Sequence, residues 1–316
     1  MNILNILNYI ATEKKIRKFS KNRKQKIKFF NSSNNFHFEK ISCIICNNNK
    51  FINLLNYDRY SLLQKTCYCK NCGLIQSNPR MTKESYKKFY ESDLYRDIYN
   101  DIDQEKYIEN KFTQPEKHNN DTYNIFKIVN SLKKINNNTN VLEIGSHAGY
   151  NLLSFKNNNA QVLGVDYSTE GIEIGKKYGI TLTQGDSGIV KGKFDVILLC
   201  HVIEHFTDPF DELKKIKKLL KEDGLLYISL PNIENFGLDQ FQNAHTYYFR
   251  KEEFLYLLNN SFFELVDFGI SQEIHMYGVF KIKESSNNTF DIKNNRIKTD
   301  LIIKNYYRKL LKKIIF

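Results

Sequence analysis

The sequence predicts an α/β protein: a parallel sheet covered by helices on both faces, preceded by a small cysteine-rich module. Three observations predict it. Short apolar runs (Val141–Ile144, Val162–Val165, Phe194–Leu199, Leu225–Leu230) alternate with amphipathic stretches of helical length, the rhythm of strand–helix–strand units. The residues just after these runs are rich in Gly, Asp and His, and ligands of such sheets sit beyond the carboxyl ends of the strands. The cysteines fall mostly in two C-x-x-C pairs well upstream of the first run. At 316 residues the chain has room for one full α/β domain and a smaller module.

Residues 1–40 are rich in Lys and Asn and read as a basic segment, either disordered or amphipathic. No apolar stretch follows a basic start, so no signal peptide is evident; a cytoplasmic chain without stable disulfides is the expectation. Six cysteines are present: Cys43, Cys46, Cys67, Cys69, Cys72 and Cys200. In residues 41–80, Cys43-x-x-Cys46 and Cys69-x-x-Cys72 have the knuckle spacing of a four-cysteine zinc site. Four thiolates leave no open position, so the zinc is expected to be structural. Cys67 is a rival ligand or a free thiol, and a redox pair is the alternative reading of each C-x-x-C. Residues 81–135 read as a helical linker in which Tyr90 and Tyr95 either pack together or form a lid over a substrate.

The domain expected at residues 136–284 begins with Asn140-Val-Leu-Glu-Ile-Gly-Ser-His-Ala-Gly-Tyr150. An apolar strand breaks into a Gly-containing turn, and helical spacing resumes at Tyr150. The next strand ends on Asp166, 21 residues after Gly145, where an acidic side chain would meet an adenosine ribose. A dinucleotide fingerprint would need glycines at 147 and 150, where the chain has His147 and Tyr150. The pattern present is E-x-G-x-x-x-G, and the Glu143 carboxylate suits a ligand carrying an ammonium and a sulfonium rather than a diphosphate. S-adenosylmethionine is such a ligand. The segment resembles the first motif of class I S-adenosylmethionine-dependent methyltransferases, with His147 in place of a middle glycine. The resemblance implies a Rossmann-like, seven-stranded class I methyltransferase sheet. It also implies cofactor binding by Glu143, Gly145, Ser146, His147, Gly149, Asp166, Tyr167, Asp186, Ser187, Cys200 and His201.

Downstream, Ile180-Thr-Leu-Thr-Gln-Gly-Asp186 reads as a third strand, and Asp186 lies where the family places a residue beside the adenine. Lys193-Phe-Asp-Val-Ile-Leu-Leu-Cys-His-Val-Ile-Glu-His-Phe-Thr-Asp-Pro209 is similar to the family's fourth strand and its loop. Its His201-Val-Ile-Glu-His205 also spells H-x-x-E-H, an inverted zinc-protease signature that requires a long helix. Here it follows a strand directly and stops at Pro209, so His201 is read as lining the cofactor pocket, with Glu204 and His205 equally readable as a structural pair. A helix (Asp211–Leu220), a turn at Asp223-Gly224 and a strand (Leu225–Pro231) follow. Lys251–Asn259 reads as a helix, and Phe263–Ile270 and Met276–Lys283 as two late strands. In the family these complete the sheet with one antiparallel member.

The cysteine module sharpens the resemblance. Cys69-Lys-Asn-Cys-Gly-Leu-Ile-Gln-Ser-Asn-Pro-Arg80 and Phe89-Tyr-Glu-Ser-Asp-Leu-Tyr95 are similar to the N-terminal region of bacterial zinc-module sugar methyltransferases, which act on carbon or on oxygen. Gly237-Leu-Asp-Gln-Phe-Gln-Asn-Ala-His-Thr-Tyr-Tyr-Phe249 resembles a segment of the carbon-methylating members. Their general base falls on His245, a neighbouring Glu on Ala244 and an assisting Tyr on Gln242. Carbon methylation requires removal of an α-proton and a stabilised enediolate, whereas oxygen methylation needs a hydroxyl aligned and relieved of its proton. One histidine can manage the latter. O-methylation of a sugar in a nucleotide-linked or surface-polysaccharide precursor is therefore expected, with His245 and His201 as catalytic candidates. C-methylation, and a degenerate fold acting as a binding module, remain the alternatives.

The formal charge of +12 and pI of about 9.2 invite a nucleic-acid reading, but the charge sits at the ends. Residues 12–28 carry a net +8 and residues 295–316 a net +6, so everything outside them is about −2 and no nucleic-acid partner is expected. In the segment 285–316, Ile303, Tyr306, Tyr307, Leu310, Leu311, Ile314 and Ile315 fall on one helical stripe, with Lys304, Arg308, Lys309, Lys312 and Lys313 facing away. Two readings stand open. One is peripheral contact with anionic lipid at the inner face of the membrane; the other is a helix docked on its own protein.

Overall fold

The structure, a computed structural model, describes residues 16–99, 104–113, 120–235, 241–271, 274–285 and 290–315. The chain divides into two compact units, each discontinuous in sequence. One takes residues 1–101, 231–254 and 289–316; the other takes residues 102–230 and 255–288.

The second unit holds the expected sheet of seven strands: β1 (Asn140–Ile144), β2 (Gln161–Asp166), β3 (Leu182–Gln184), β4 (Phe194–Cys200), β5 (Leu220–Pro231), β6 (Phe263–Ser271) and β7 (His275–Ile282), in the order β6-β7-β5-β4-β1-β2-β3. β1 pairs in parallel with both β2 and β4. The order reverses there, so the loops leaving β1 and β4 diverge and open a crevice at their carboxyl ends. β6 and β7 pair antiparallel, from Phe263 opposite Ile282 to Ser271 opposite His275. The central strands are mostly apolar because both faces are covered: Val141, Leu142, Val196, Ile197, Leu198 and Leu199 are all fully buried, each contributing about 1.5–3 kcal/mol.

Local signals set the helix ends. Ser168 caps Thr169–Lys177, its Oγ accepting from the Gly171 N–H at 3.0 Å. Asp208 caps Pro209–Leu219, accepting from the Asp211 N–H at 3.0 Å, with Pro209 in the first turn. This helix ends one residue before the expected Leu220, which already pairs with Phe194; a register shift between Leu220 and Leu225 absorbs the Asp223-Gly224 turn. Gly175 lets this layer close on the turn after β1, since a Cβ there would sit 2.2 Å from the Ala148 carbonyl oxygen.

The first unit is built on an antiparallel sheet of Phe51–Tyr57, Leu63–Cys69, Ile75–Ser77 and Tyr247–Tyr248. Helices Lys21–Ser32, Lys83–Glu91 and Asp93–Tyr99 bury Ile27, Phe30, Tyr86, Phe89 and Ile98 in an aromatic core with Phe36 and Tyr60. Tyr90 and Tyr95 pack there edge to face, 5.0 Å between centroids. The helix Ile292–Ile315 docks within this unit. Ile303 and Tyr306 are buried with Leu54, Leu55, Tyr68 and Phe241, and the Tyr306 hydroxyl donates to the Ile233 carbonyl at 2.8 Å. That part of the apolar stripe is therefore covered by protein; the side chains from Leu310 onward lie outside the described residues. No helix among the described residues is long and apolar enough to cross a membrane.

Candidate active site

Glu143 lies near the carboxyl end of β1 with 1 % of its surface exposed. Its Oε1 accepts from Asn151 Nδ2 at 2.6 Å. Its Oε2 is buried with no hydrogen-bond partner among the described residues. Burial pushes the carboxyl up to about 8, opposed by hydrogen bonds from Asn151 and Cys200. A buried acceptor left without a donor is costly, and the ammonium of an amino-acid ligand is the kind of group that satisfies it.

The turn after β1 is shaped by backbone that favours glycine. Gly145 and Gly149 have φ of 70° and 74°, and His147 also takes a left-handed conformation, φ 49°. The His147 side chain lies against the start of the helix at Thr169, for a Cβ on Gly171 would fall 2.7 Å from its Cδ2. The side chain at this non-glycine position is thus accommodated by a glycine on the neighbouring helix. The His147 N–H donates to Asp166 Oδ2 at 2.8 Å and the Ser168 N–H to Oδ1 at 2.7 Å. The Asp166 carboxylate is thereby fixed at the end of β2 with lone pairs to spare for two hydroxyls. Ser146 is buried beneath this turn.

After β3, Asp186 caps a short 3-10 turn: Oδ1 accepts from the Gly188 N–H at 2.9 Å, and Oδ2 from the Tyr167 hydroxyl at 2.9 Å. The Ser187 Oγ donates to Glu212 Oε2 at 2.9 Å. Cys200 ends β4 half-buried. His201 follows with φ 56° and a side chain 41 % exposed; its Nδ1 lies 3.6 Å from Oε1 of the buried Glu204. The H-x-x-E-H segment holds only a 3-10 turn, Ile203–His205, which rules out the long helix of the protease signature.

Sequence reasoning missed three residues of this region. Asn151, the partner of Glu143, was legible as a polar residue in an otherwise apolar turn. Ile189 is 48 % exposed beside Gly185, an apolar surface next to the Tyr167–Asp186 pair. His275 meets His201 edge to face, 4.5 Å between ring centroids, and no local pattern signals a contact across three strands. Gly145 yields a sharp expectation, because a Cβ there would lie 2.5 Å from Val202 Cγ2. Gly145→Ala should lower S-adenosylhomocysteine affinity at least tenfold by calorimetry, with Val202→Ala restoring part of it; the φ of 70° remains strained in the double variant.

In the first unit, Cys43, Cys46, Cys69 and Cys72 converge, their sulfurs all within 4.8 Å of one another. Cys43 and Cys72 are 3.4 Å apart and Cys46 and Cys69 are 3.5 Å apart. Four thiolates bound tetrahedrally at about 2.3 Å would stand roughly 3.8 Å apart, so the set fits zinc with little adjustment. Cys67 stands outside it, its thiol facing the Gln76 carbonyl at 3.5 Å. His245 is 3 % exposed, and its Nε2 is held against Gln242 Nε2. Gln64 Nε2 and Ser77 Oγ both donate to its carbonyl.

Residues 117–267 match the family described as a methyltransferase domain. The ubiquinone biosynthesis O-methyltransferase of Actinobacillus pleuropneumoniae is 30 % identical over 106 residues, covering 29 % of this chain and 45 % of that protein. The protein of the same name from Pelagibacter ubique is 32 % identical over 115 residues, covering 34 % of this chain and 48 % of that one. The chain thus spans about half the length of these relatives. Among solved structures, the Burkholderia thailandensis 1,6-didemethyltoxoflavin-N1-methyltransferase, with bound 1,6-didemethyltoxoflavin and S-adenosylhomocysteine, is 14 % identical with a TM-score of 0.49. That match covers 69 % of this chain and 99 % of the other.

Proposed function

We propose that this protein is a class I S-adenosylmethionine-dependent methyltransferase, a reading supported by the match of residues 117–267 to a methyltransferase domain, and that it methylates an oxygen of a small-molecule acceptor, a sugar hydroxyl of a nucleotide-linked or surface-polysaccharide precursor. The observation that carries the reading is the pair of carboxylates at adjacent strand ends: Glu143 with an unmet buried oxygen, and Asp166 fixed by two backbone N–H groups. Oxygen as the target is supported by the O-methyltransferase names of the relatives and by Ala244 and Gln242, which replace the polar helpers that carbon chemistry needs. The sugar is supported by the likeness of the segments 69–80 and 237–249 to sugar methyltransferases.

When bound, the cofactor supplies an already activated methyl on a sulfonium, so the chain's task is positioning. Glu143 Oε2 would hold the ammonium and Asp166 the ribose hydroxyls. Tyr167, Ile189 and Asp186 would receive the adenine, and Gly145, Ser146, His147, Gly149, Ser187 and Cys200 would shape the walls. His201 receives the acceptor proton on Nε2, and the Glu204 carboxylate near Nδ1 stabilises the imidazolium. His245, its Nε2 held against Gln242, is the other candidate for that proton. Cys43, Cys46, Cys69 and Cys72 would hold a structural zinc, with no position left for chemistry.

Calorimetric titration tests the reading. S-adenosylmethionine and S-adenosylhomocysteine should bind, and Asp166→Ala should weaken both about 10- to 100-fold, the worth of hydrogen bonds to a charged group. No binding, or binding indifferent to that change in a variant that still folds, sinks the proposal. A product methylated on carbon, located by mass spectrometry, sinks its oxygen part.

A further inference from the structure

The loop that carries His245 is anchored in the first unit by one carboxylate and several tyrosines. Asp58, fully buried, accepts at Oδ1 from the N–H groups of Tyr60 and Leu62, at 2.7 and 2.9 Å. At Oδ2 it accepts from the Asn243 N–H and the Tyr99 hydroxyl, each at 2.9 Å. The hydroxyls of Tyr86 and Tyr90 donate to the carbonyls of Asn243 and Ala244, at 3.4 and 3.3 Å. Four donors saturate Asp58, and Arg59 is not among them.

Arg59, the next residue, is half-buried. Its guanidinium lies over the rings of Tyr60 and Tyr99, at 4.9 and 5.8 Å from their centroids. Nη2 donates to Gln242 Oε1 at 3.0 Å. Nε is buried and meets no hydrogen-bond acceptor, and no carboxylate among the described residues forms an ion pair with this side chain. A second guanidinium, that of Arg23, stands 4.9 Å from the centroid of the same Tyr60 ring. Two cations therefore share one phenol, and the nearby Asp58 carboxylate is taken up by its own four donors rather than by Arg59.

A permanently charged, partly desolvated fork held over aromatic rings is suited to bidentate recognition of an oxyanion. We propose that Arg59 forms an oxyanion subsite that takes the phosphate or carboxylate group by which the acceptor is recognised. This deepens the methyltransferase reading and rests on it for the identity of the ligand, while the site itself stands on the geometry of the first unit. Gln242 gives it a reporter: the amide joins Arg59 Nη2 to His245 Nε2, so an anion that draws on the guanidinium alters the environment of the imidazole.

Full-length, metal-loaded protein is titrated with inorganic pyrophosphate and, separately, with succinate, by calorimetry and by NMR of the histidine rings. At least one anion should bind, moving the His245 ring signals, which are assigned by their loss in His245→Asn. Arg59→Ala should weaken that binding tenfold or more, and Arg59→Lys nearly as much because an ammonium cannot fork. Stronger binding of pyrophosphate assigns a phosphate ester; stronger binding of succinate assigns a carboxylate. Absence of binding by both anions overturns the subsite, as does affinity unchanged in Arg59→Ala. Urea unfolding of each variant confirms that it folds, and S-adenosylhomocysteine titrated into the same samples tests the cofactor reading separately: pyrophosphate bound without S-adenosylhomocysteine would leave the subsite standing and the enzyme reading fallen.

Discussion

Cys69→Ser is expected to empty the four-cysteine site and unfold the small sheet around it. Purified wild-type protein should contain about one zinc per chain, and the variant well under half of that, by elemental mass spectrometry. Cys43, Cys69 and Cys72 are each at most 2 % exposed, so the metal's ligands also form the floor of this unit. Apparent binding energies of structural zinc reach about 10–16 kcal/mol in small isolated modules. Because Leu54, Leu55, Tyr68 and Tyr306 add an apolar core here, a loss on the order of 5 kcal/mol is expected in urea unfolding. Cys67→Ser, with its thiol on the Gln76 carbonyl, should keep the full metal content. A Cys69→Ser protein that retained its zinc would refute the assignment.

Glu143→Gln should weaken S-adenosylhomocysteine binding more than a hundredfold, since removing one member of a buried ion pair costs about 3–5 kcal/mol. The same residue makes wild-type behaviour pH-dependent. Its carboxyl stands near 8 in the folded, ligand-free protein against an ordinary 4.5. A value raised by folding contributes stability that is complete below 4.5 and fades as pH rises toward 8, at most about 1.4 kcal/mol per pH unit. Ligand binding runs the other way. The ammonium needs the carboxylate, so below about pH 7.5 binding releases a proton and affinity climbs with pH. Thermal unfolding at pH 5.5, 6.5 and 7.5 should therefore show a gap between free and ligand-bound protein that widens with pH. In Glu143→Gln the gap should be small and flat. A wild-type gap independent of pH would remove Glu143 from the ammonium site.

Much of the second unit was legible because its chemistry is local. Buried parallel strands read as apolar runs such as Val196–Leu199, and a turn that must bend backward shows its glycines at 145 and 149. The carboxylates of Glu143 and Asp166 fall at strand ends, where spacing alone locates them. The cysteine knuckles were legible for the same reason: metal ligands require fixed short spacings. What stayed hidden depends on residues far apart in sequence. Nothing near Arg250 announces that it is fully buried against Glu253, or that Asn295 bridges Glu253 and the Cys72 carbonyl. The C-terminal stripe spelled an amphipathic helix, but amphipathicity states only that one face is covered; Leu54, Leu55 and Tyr68 decide by what. The His201–His275 contact arises from strand order, which no single strand encodes.

The bridge from Asn295 to Cys72 spans 223 residues of chain, and the Thr299 hydroxyl rests on the Gly73 carbonyl beside it at 2.9 Å. During synthesis the four thiolates emerge early, while the helix that seals them arrives last among the described elements. At 5–20 residues per second the interval is roughly ten to forty-five seconds. Throughout it the knuckle has its ligands without its cover, and Leu54, Leu55 and Tyr68 await Ile303 and Tyr306. The nascent chain thus passes through a period in which metal can enter an open nest. Docking of the helix Ile292–Ile315 closes that period and is the step at which a captured ion would become enclosed.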